Sequence, residues 1–404
     1  MPAEQVLSGM KVVDLTHYIA GPFCTKLLAD YGADVIKVEK PGEGDMARRM
    51  GPFPGDIPDP EKSGLFLYLN TNKRGITLNL KTKTGIEIFK QLISESDLLV
   101  ENFRPRVMPG LGLNYQTLKK VNPKLVMASI SNFGQSGPYR DCEASEITLL
   151  ALSGEMNRLG DPEREPLKHA LNAYQYFAGE AASLVSIAAV MRSENTGAGD
   201  HIDVSIQETI VGDVDNRVYE WDYSGSKGER TTARNYPVYP WGGFPAKDGF
   251  VAIQGGGAGE RWMPRLFEMI GMPELMSDPR FSTQEGRMKY SDEFNALLYS
   301  WLVDHTKQEI GDEAARLRYP MAPVYTTEEL VNNPHYRERG FFVEIEHPVA
   351  GKLTYPGAPS KMSGSGYAIK RAAPLQGQHN EEIYCGQLKY SKQDINTMRK
   401  NGII

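Results

Sequence analysis

The stretch KHALNAYQYFAGEAASLVSIAAVMRSENTGAGDHIDVSIQET, Lys168–Thr209, decides how the chain is read. Its middle, Ala178–Arg192, reads as a helix carrying small residues on several faces: Ala178, Gly179, Ala181, Ala182, Ala188 and Ala189. Small residues let another backbone or a ligand come close. The run Asn195-Thr196-Gly197-Ala198-Gly199 stops the helix with a turn that supplies positive φ. A strand follows, with Ile202, Val204 and Ile206 on one side. Helix, glycine turn and strand in this order are the tail of an α/β unit.

The N-terminus shows the same rhythm. Lys11–Leu15 is a short apolar strand, and Ala20-Gly21-Pro22 opens a helix that runs to Gly32. Ala33–Val38 is the next strand, so a right-handed crossover makes the two strands parallel. No GxGxxG is present, which leaves little support for a dinucleotide site. Further on, Leu65–Leu69, Asn70-Thr71-Asn72-Lys73-Arg74-Gly75 and Ile76–Leu80 form a block, followed by an amphipathic helix over Lys83–Glu95. Asp97–Val100 is a strand ending in Glu101-Asn102-Phe103-Arg104-Pro105, and Lys124–Ser129 is another, with the loop Asn132-Phe133-Gly134-Gln135-Ser136-Gly137-Pro138 behind it. Ligands of α/β sheets gather at the carboxyl ends of strands, which makes Asn102, Phe103 and Arg104 candidate binding residues.

From about Ser224 the βαβ rhythm is lost. Phe250–Gln254 reads as a strand leading into Gly255-Gly256-Gly257-Ala258-Gly259, and helices are expected at Trp262–Ile270, Met288–Leu302 and Thr306–Leu317. The expected architecture is therefore α/β: a Rossmann-like parallel-sheet large domain over 1–224, completed by 331–404, and a smaller α+β domain over 225–330 that carries the glycine loop.

Composition bounds the function classes. The chain has 404 residues, a net charge of −6 and three scattered cysteines, Cys24, Cys142 and Cys385, with no CxxC pair. That charge gives no reason to expect nucleic acid or an anionic membrane as partner. The cysteines make no disulfide framework and no zinc site, in keeping with free thiols in a cytoplasmic protein. No apolar run approaches the roughly 20 residues that span a bilayer, and the first residues lack a signal-peptide pattern.

Several segments together resemble one family. These are THYIAGP (Thr16–Pro22), GADVIKVEKPGEGDMAR (Gly32–Arg48), N-x-NKR-x-I-x-L (Asn70–Leu78), the Asn102-Phe103-Arg104-Pro105 turn, Ala322-Pro323-Val324, and the run from Glu328 to His335. The pattern is similar to the class III CoA-transferases, the family of formyl-CoA transferase, carnitine CoA-transferase and the bile-acid-inducible proteins. The resemblance implies an interlaced, ring-like dimer and a CoA thioester as substrate, with no covalently bound cofactor. It implies a CoA-binding set of His17, Lys40, Lys73, Arg74, Asn102, Phe103 and Arg104, with Lys37 and Arg106 as further cationic candidates. Each cation also fits a solvated surface position. The glycines Gly255, Gly256 and Gly257 match the loop that covers the acyl intermediate in the family, where a backbone without Cβ offers N–H donors to an oxyanion.

One departure governs the rest. The family's nucleophilic Asp stands four residues before the Gly that opens the long helix and 21 before the Thr of its terminal turn; counting back from Gly179 or from Thr196 lands on Gln175. A carboxylate attacks a thioester, expels CoA thiolate and becomes a mixed anhydride. A neutral amide cannot, and losing the nucleophile costs roughly 4–8 kcal/mol of barrier. Ile19 stands where the family often has Gln, a second lost polar group. The proton-shuttling racemase branch pairs the Asp with a His in a segment that here reads Asp141-Cys142-Glu143-Ala144-Ser145, so that chemistry lacks both groups.

The resemblance therefore implies the non-catalytic subunit of a heteromeric class III CoA-transferase. A homologous catalytic subunit would supply the Asp in a heterodimer or heterotetramer, moving CoA from succinyl-CoA to a carboxylic acid such as the benzylsuccinate of anaerobic degradation. Two alternatives stay open. One is an active transferase with a displaced carboxylate, Glu165 or Glu180. The other is a CoA-ester-binding protein without catalysis.

Overall fold

The computed structural model describes residues 5–213, 217–230, 239–255 and 257–404. They form two compact units. The larger contains residues up to Glu155, 168–213 and 337–404; the smaller contains 156–167 and the described part of 217–336.

The larger unit is built on a six-stranded, all-parallel sheet. Its strands are β1 (Lys11–Leu15), β2 (Asp34–Glu39), β3 (Arg74–Thr77), β4 (Leu98–Glu101), β5 (Val126–Ser131) and β6 (His201–Ser205), in the order β3-β2-β1-β4-β5-β6. β4 and β5 are buried along their whole length, as strands covered on both faces must be. The order reverses between β1 and β4, so their carboxyl ends flank the crevice where a doubly wound sheet holds ligands.

One face is covered by α2 (Lys83–Ser94), α3 (Tyr115–Val121) and the C-terminal α9 (Lys392–Lys400), which bring Ile88, Phe89, Leu92, Leu118, Ile395 and Met398 onto Val13, Leu99 and Met127. The tail also seals the edge strand: Gly75 and Thr77 donate their N–H groups to His379 Nδ1 (3.0 Å) and Asn380 Oδ1 (2.9 Å), removing an edge open to a foreign strand.

The other face carries α1 (Ala20–Asp30) and α5 (Ala173–Thr196). A Cβ on Gly179 would sit 2.6 Å from the Ala20 carbonyl oxygen. Only glycine allows the two helices this approach. Helix α5 starts five residues earlier than the sequence pattern suggested and ends at Gly197, φ +72°. Gln175 is thus in its first turn, not in a preceding loop, because Asn172 and Tyr174 are fixed by contacts remote in sequence. Between β5 and α5 lies the short α4 (Glu146–Leu152).

The smaller unit holds an antiparallel sheet of β7 (Trp241–Ala246), β8 (Gly249–Gln254) and β9 (Met321–Pro323). It packs on α6 (Met263–Met269), α7 (Ser291–Leu302) and α8 (Lys307–Leu317) through Phe267, Phe294, Leu298 and Ile310. The sequence-based boundaries, 225 and 330, fall several residues inside this unit. Residues 156–167 join it because Arg230 donates to the carbonyls of Asn157 and Asp161, and Asn157 to that of Gly228. The hairpin β10 (Phe342–His347) and β11 (Gly351–Pro356) belongs to the larger unit, with Tyr355 buried against Phe66 and Leu67.

Candidate functional site

The carboxyl edge of the sheet is organised by one carboxamide. Asn102, just beyond β4, accepts the His17 N–H on Oδ1 (2.8 Å) and donates Nδ2 to the His17 carbonyl (2.7 Å). It completes the turn after β1 as a neighbouring strand would. Tyr18 is forced to φ +72° there, and its N–H is taken by Asp45 (2.9 Å). A non-glycine residue held in the left-handed region marks a turn fixed from outside. The His17 ring meets Phe103 edge-on at 5.0 Å, and its Nδ1 is buried without a partner. Burial holds the imidazole below its ordinary pKa, opposed mainly by Asp45. It is neutral near pH 7.

Beneath this turn is a fully buried ion cluster. Lys37 pairs with Asp45 at 2.8 Å and Lys73 with Asp14 at 2.9 Å. Asp14 also accepts from the hydroxyls of Thr16 (2.5 Å) and Thr25 (2.7 Å). Burial alone would raise the Asp14 pKa; Lys37, Lys73 and the two hydroxyls reverse this and hold it far below the usual range. Lys73 itself is pushed down to about 8 by burial. Its three protons go to Asp14, the Pro22 carbonyl and Asn70 Oδ1, each at 2.9 Å. Lys73 therefore has no donor left for a phosphate, and Lys37 is equally enclosed. The sequence showed cations beside strand ends but could not show that they are the interior counter-charges of Asp14 and Asp45.

The other expected binding residues separate. Lys40 follows β2 at the carboxyl edge, half-exposed and paired with Glu43. Arg104, beyond β4, is exposed and pairs with Glu143 at 2.8 Å; Arg106 is exposed on the same loop. Arg74 is the first residue of β3, so it lies at the opposite, amino edge, clamped by Asp34 (2.9 and 2.5 Å) and Glu382 (2.9 Å). The parallel direction of the strands decides this. Arg74 enters β3, whereas Asn102 leaves β4.

Gln175, 7% exposed, sits at the start of α5 beside a residue that sequence reasoning passed over. Glu146, the first residue of α4, is 9% exposed and accepts the Tyr174 N–H on Oε1 (2.9 Å). It caps the α5 N-terminus from outside, where the helix dipole favours an anion. Burial raises its pKa; the Tyr174 N–H, Lys168 and the Gln175 amide oppose the rise. Asn172 donates to the Tyr18 hydroxyl (3.2 Å), and the Tyr18 phenol is itself raised by burial and by Glu146. Glu146, Gln175, Asn172 and Tyr18 thus form one polar group at the head of α5. Nothing local could reveal Glu146: 29 residues separate it from Gln175. Glu180 is exposed on α5, and Glu165 is exposed in the smaller unit.

In the smaller unit, Gly255 follows β8 and donates its N–H to the Pro240 carbonyl (2.7 Å). A Cβ there would meet the Pro240 ring at 2.8 Å and the Tyr319 hydroxyl at 3.1 Å. Gly256 lies outside the described residues; Gly257 begins a 3-10 turn running to Trp262. Among the described residues no cluster of His, Cys, Asp or Glu could hold a metal ion, and no helix is long and apolar enough to cross a membrane.

The parallel sheet, its carboxyl-edge loops and the long helix with Gln175 in its first turn form a recognisable set. A model of CoA-transferase family III matches residues 7–380. The chain belongs to that family. Among curated relatives, succinyl-CoA–D-citramalate CoA-transferase of Chloroflexus aurantiacus is 30% identical over 401 residues, covering 98% of both chains. Formyl-CoA:oxalate CoA-transferase of Streptomyces avermitilis is 33% identical over 419 residues, covering 99% of this chain and 100% of the relative. Among solved structures, a CAIB/BAIF family protein from Brucella suis superposes with a TM-score of 0.85 at 28% identity, covering 95% of this chain and 99% of that one. Membership in family III makes this a CoA-transferase chain. At the head of α5 this chain carries the neutral amide of Gln175, with the Glu146 carboxyl beside it.

Proposed function

We propose that this chain is the non-catalytic subunit of a heteromeric class III CoA-transferase. A homologous catalytic subunit carries the aspartate, and the complex moves CoA from succinyl-CoA to a dicarboxylic acid. The observation that carries the reading is Gln175: a neutral, buried amide on the first turn of α5. It cannot form a mixed anhydride.

The outer face of α5 supports a partner chain. Phe177, Ala181, Leu184, Ala188 and Met191 follow each other at alternating steps of four and three, and Phe177, Leu184 and Met191 are 41%, 70% and 57% exposed. An apolar stripe of that spacing on a long helix suits another helix laid along it. An interlaced heterodimer or heterotetramer would cover it. Succinyl-CoA as donor is supported by the named substrate of the Chloroflexus relative, and benzylsuccinate is the proposed acid. His17, Lys40, Asn102, Phe103 and Arg104 remain the proposed CoA-binding set; Lys73 and Arg74 leave it.

The test is to assay CoA exchange between succinyl-CoA and benzylsuccinate with the chain alone, then with its co-purified homologue. Silence alone and turnover together are expected. Full turnover by the purified chain removes the proposal. Glu146 favours a second reading, an active transferase with a displaced carboxylate, because its Oε2 is buried without a hydrogen-bond partner. Trapping the chain with hydroxylamine during turnover distinguishes the two: a modified Glu146, lost in Glu146→Gln, would establish the second.

A further inference from the structure

Arg74, expected at the CoA site, instead lines a cavity of about 410 Å³ at the amino edge of the larger unit's sheet. Asp34 and Arg74, the first residues of β2 and β3, form one wall; Gln5, Asn72, Lys370, Arg371 and Glu382 complete its polar lining.

Accounting for donors and acceptors shows what this cavity lacks. Asp34 and Glu382 are committed to Arg74. Gln5 donates to the carbonyls of Asp30 and Gly366 and accepts from Lys370 Nζ. Asn72, at φ +63°, donates to Asp30 Oδ1 (2.6 Å) and the Ala368 carbonyl (2.8 Å). Its Oδ1 accepts the backbone N–H groups of Lys370 (2.8 Å) and Arg371 (3.0 Å), fixing the two residues at the cavity. The closing carbonyls of α1, from Leu27 to Asp30, are all occupied. Every side-chain amide and carboxylate of the lining therefore has a partner. The Arg371 guanidinium makes no hydrogen bond among the described residues, with only the charge of Glu382 acting on it from a distance, and Lys370 Nζ has protons to spare. Three cations face two carboxylates. What the cavity offers is a positive charge and an unused planar fork of donors, which matches an oxyanion.

We propose that this amino-edge cavity binds a small oxyanion, a phosphate or carboxylate group, on Arg371 and Lys370. The site is independent of the transfer reaction: Asn102 and Arg104 lie at the carboxyl edge of the same sheet. A small metabolite carrying either group, bound here, would tie the C-terminal tail (Lys370, Arg371, Glu382) to the edge strands β2 and β3.

The test uses the full chain, with its partner subunit if one co-purifies, titrated calorimetrically with inorganic phosphate and separately with succinate. Arg371→Ala and Lys370→Gln are both exposed changes that leave the core untouched. Binding of phosphate assigns a phosphate site; binding of succinate assigns a carboxylate site. In either case Arg371→Ala is expected to weaken binding about tenfold or more, Lys370→Gln to weaken it less, and Arg104→Ala to leave it unchanged. Failure of both anions to bind overturns the proposal, as does binding that survives Arg371→Ala or is lost in Arg104→Ala.

Discussion

In the proposed reading, replacing Gln175 by Asp restores a carboxylate at the nucleophile's position, and the structure sets the consequence. The new group would share a buried site with Glu146, whose pKa burial already raises. Two carboxylates about 4 Å apart repel by about 4 kcal/mol at an effective dielectric near 20. The head of α5 returns about 1 kcal/mol. The remaining ~3 kcal/mol is relieved when one carboxyl takes a proton, which raises the pKa of the pair. A folded-state pKa raised above the unfolded value means the folded protein holds the extra proton. The variant should therefore match wild type below about pH 4, where the unfolded carboxyls are also protonated, and lose about 3 kcal/mol as pH rises through the raised pKa. Attack needs an ionised oxygen, so activity should move the other way. CoA exchange by the variant chain alone, followed chromatographically, should rise with pH to roughly a thousandfold or more above wild type. Mass spectrometry should find the hydroxylamine-trapped adduct on the substituted side chain. A folded variant that stays silent at every pH would refute the reasoning, as would activity that falls where stability falls.

Three further outcomes follow from the larger unit. Burial lifts the Glu101 carboxyl to about 7, against the Ser129 hydroxyl and the Phe103 N–H; its stabilising effect is complete below the unfolded value and is lost as pH rises through 7. Glu101→Gln should then match wild type at about pH 4 in denaturant unfolding and exceed it at pH 8 by up to about 3 kcal/mol. Lys73→Met leaves Asp14 with Lys37 at 3.9 Å as its remaining cation, and should lower unfolding free energy by about 3–5 kcal/mol. Gly179→Ala drives a methyl to 2.6 Å from the Ala20 carbonyl; parting α1 from α5 should cost about 1–3 kcal/mol, read as a lower thermal midpoint.

Legibility in the sequence followed sequence distance. Alternating strands and helices gave the parallel sheet, because apolar period and glycine stops are local properties. The helix around Gly179 was visible but its first turn was not, since Tyr174 depends on the Glu146 carboxylate for its N–H. Charge was read least well. Lys73 and Arg74 are neighbours, yet one is sealed under the β1 turn and the other faces the far edge, because successive residues entering a strand point to opposite sides. Glu146 had no signal at all: the first residue of a short helix gains meaning only from what lies across from it.

The sequence by itself determined the parallel α/β order, the family and the absence of an acidic oxygen at position 175, all carried by residue type at fixed spacing. The tertiary structure alone decided which charges are interior and which edge of the sheet each cation serves. It also decided that a glutamate 29 residues upstream stands beside Gln175. Those facts depend on strand direction and on burial, and the free energy of a charge is set by what surrounds it in space rather than by its neighbours along the chain.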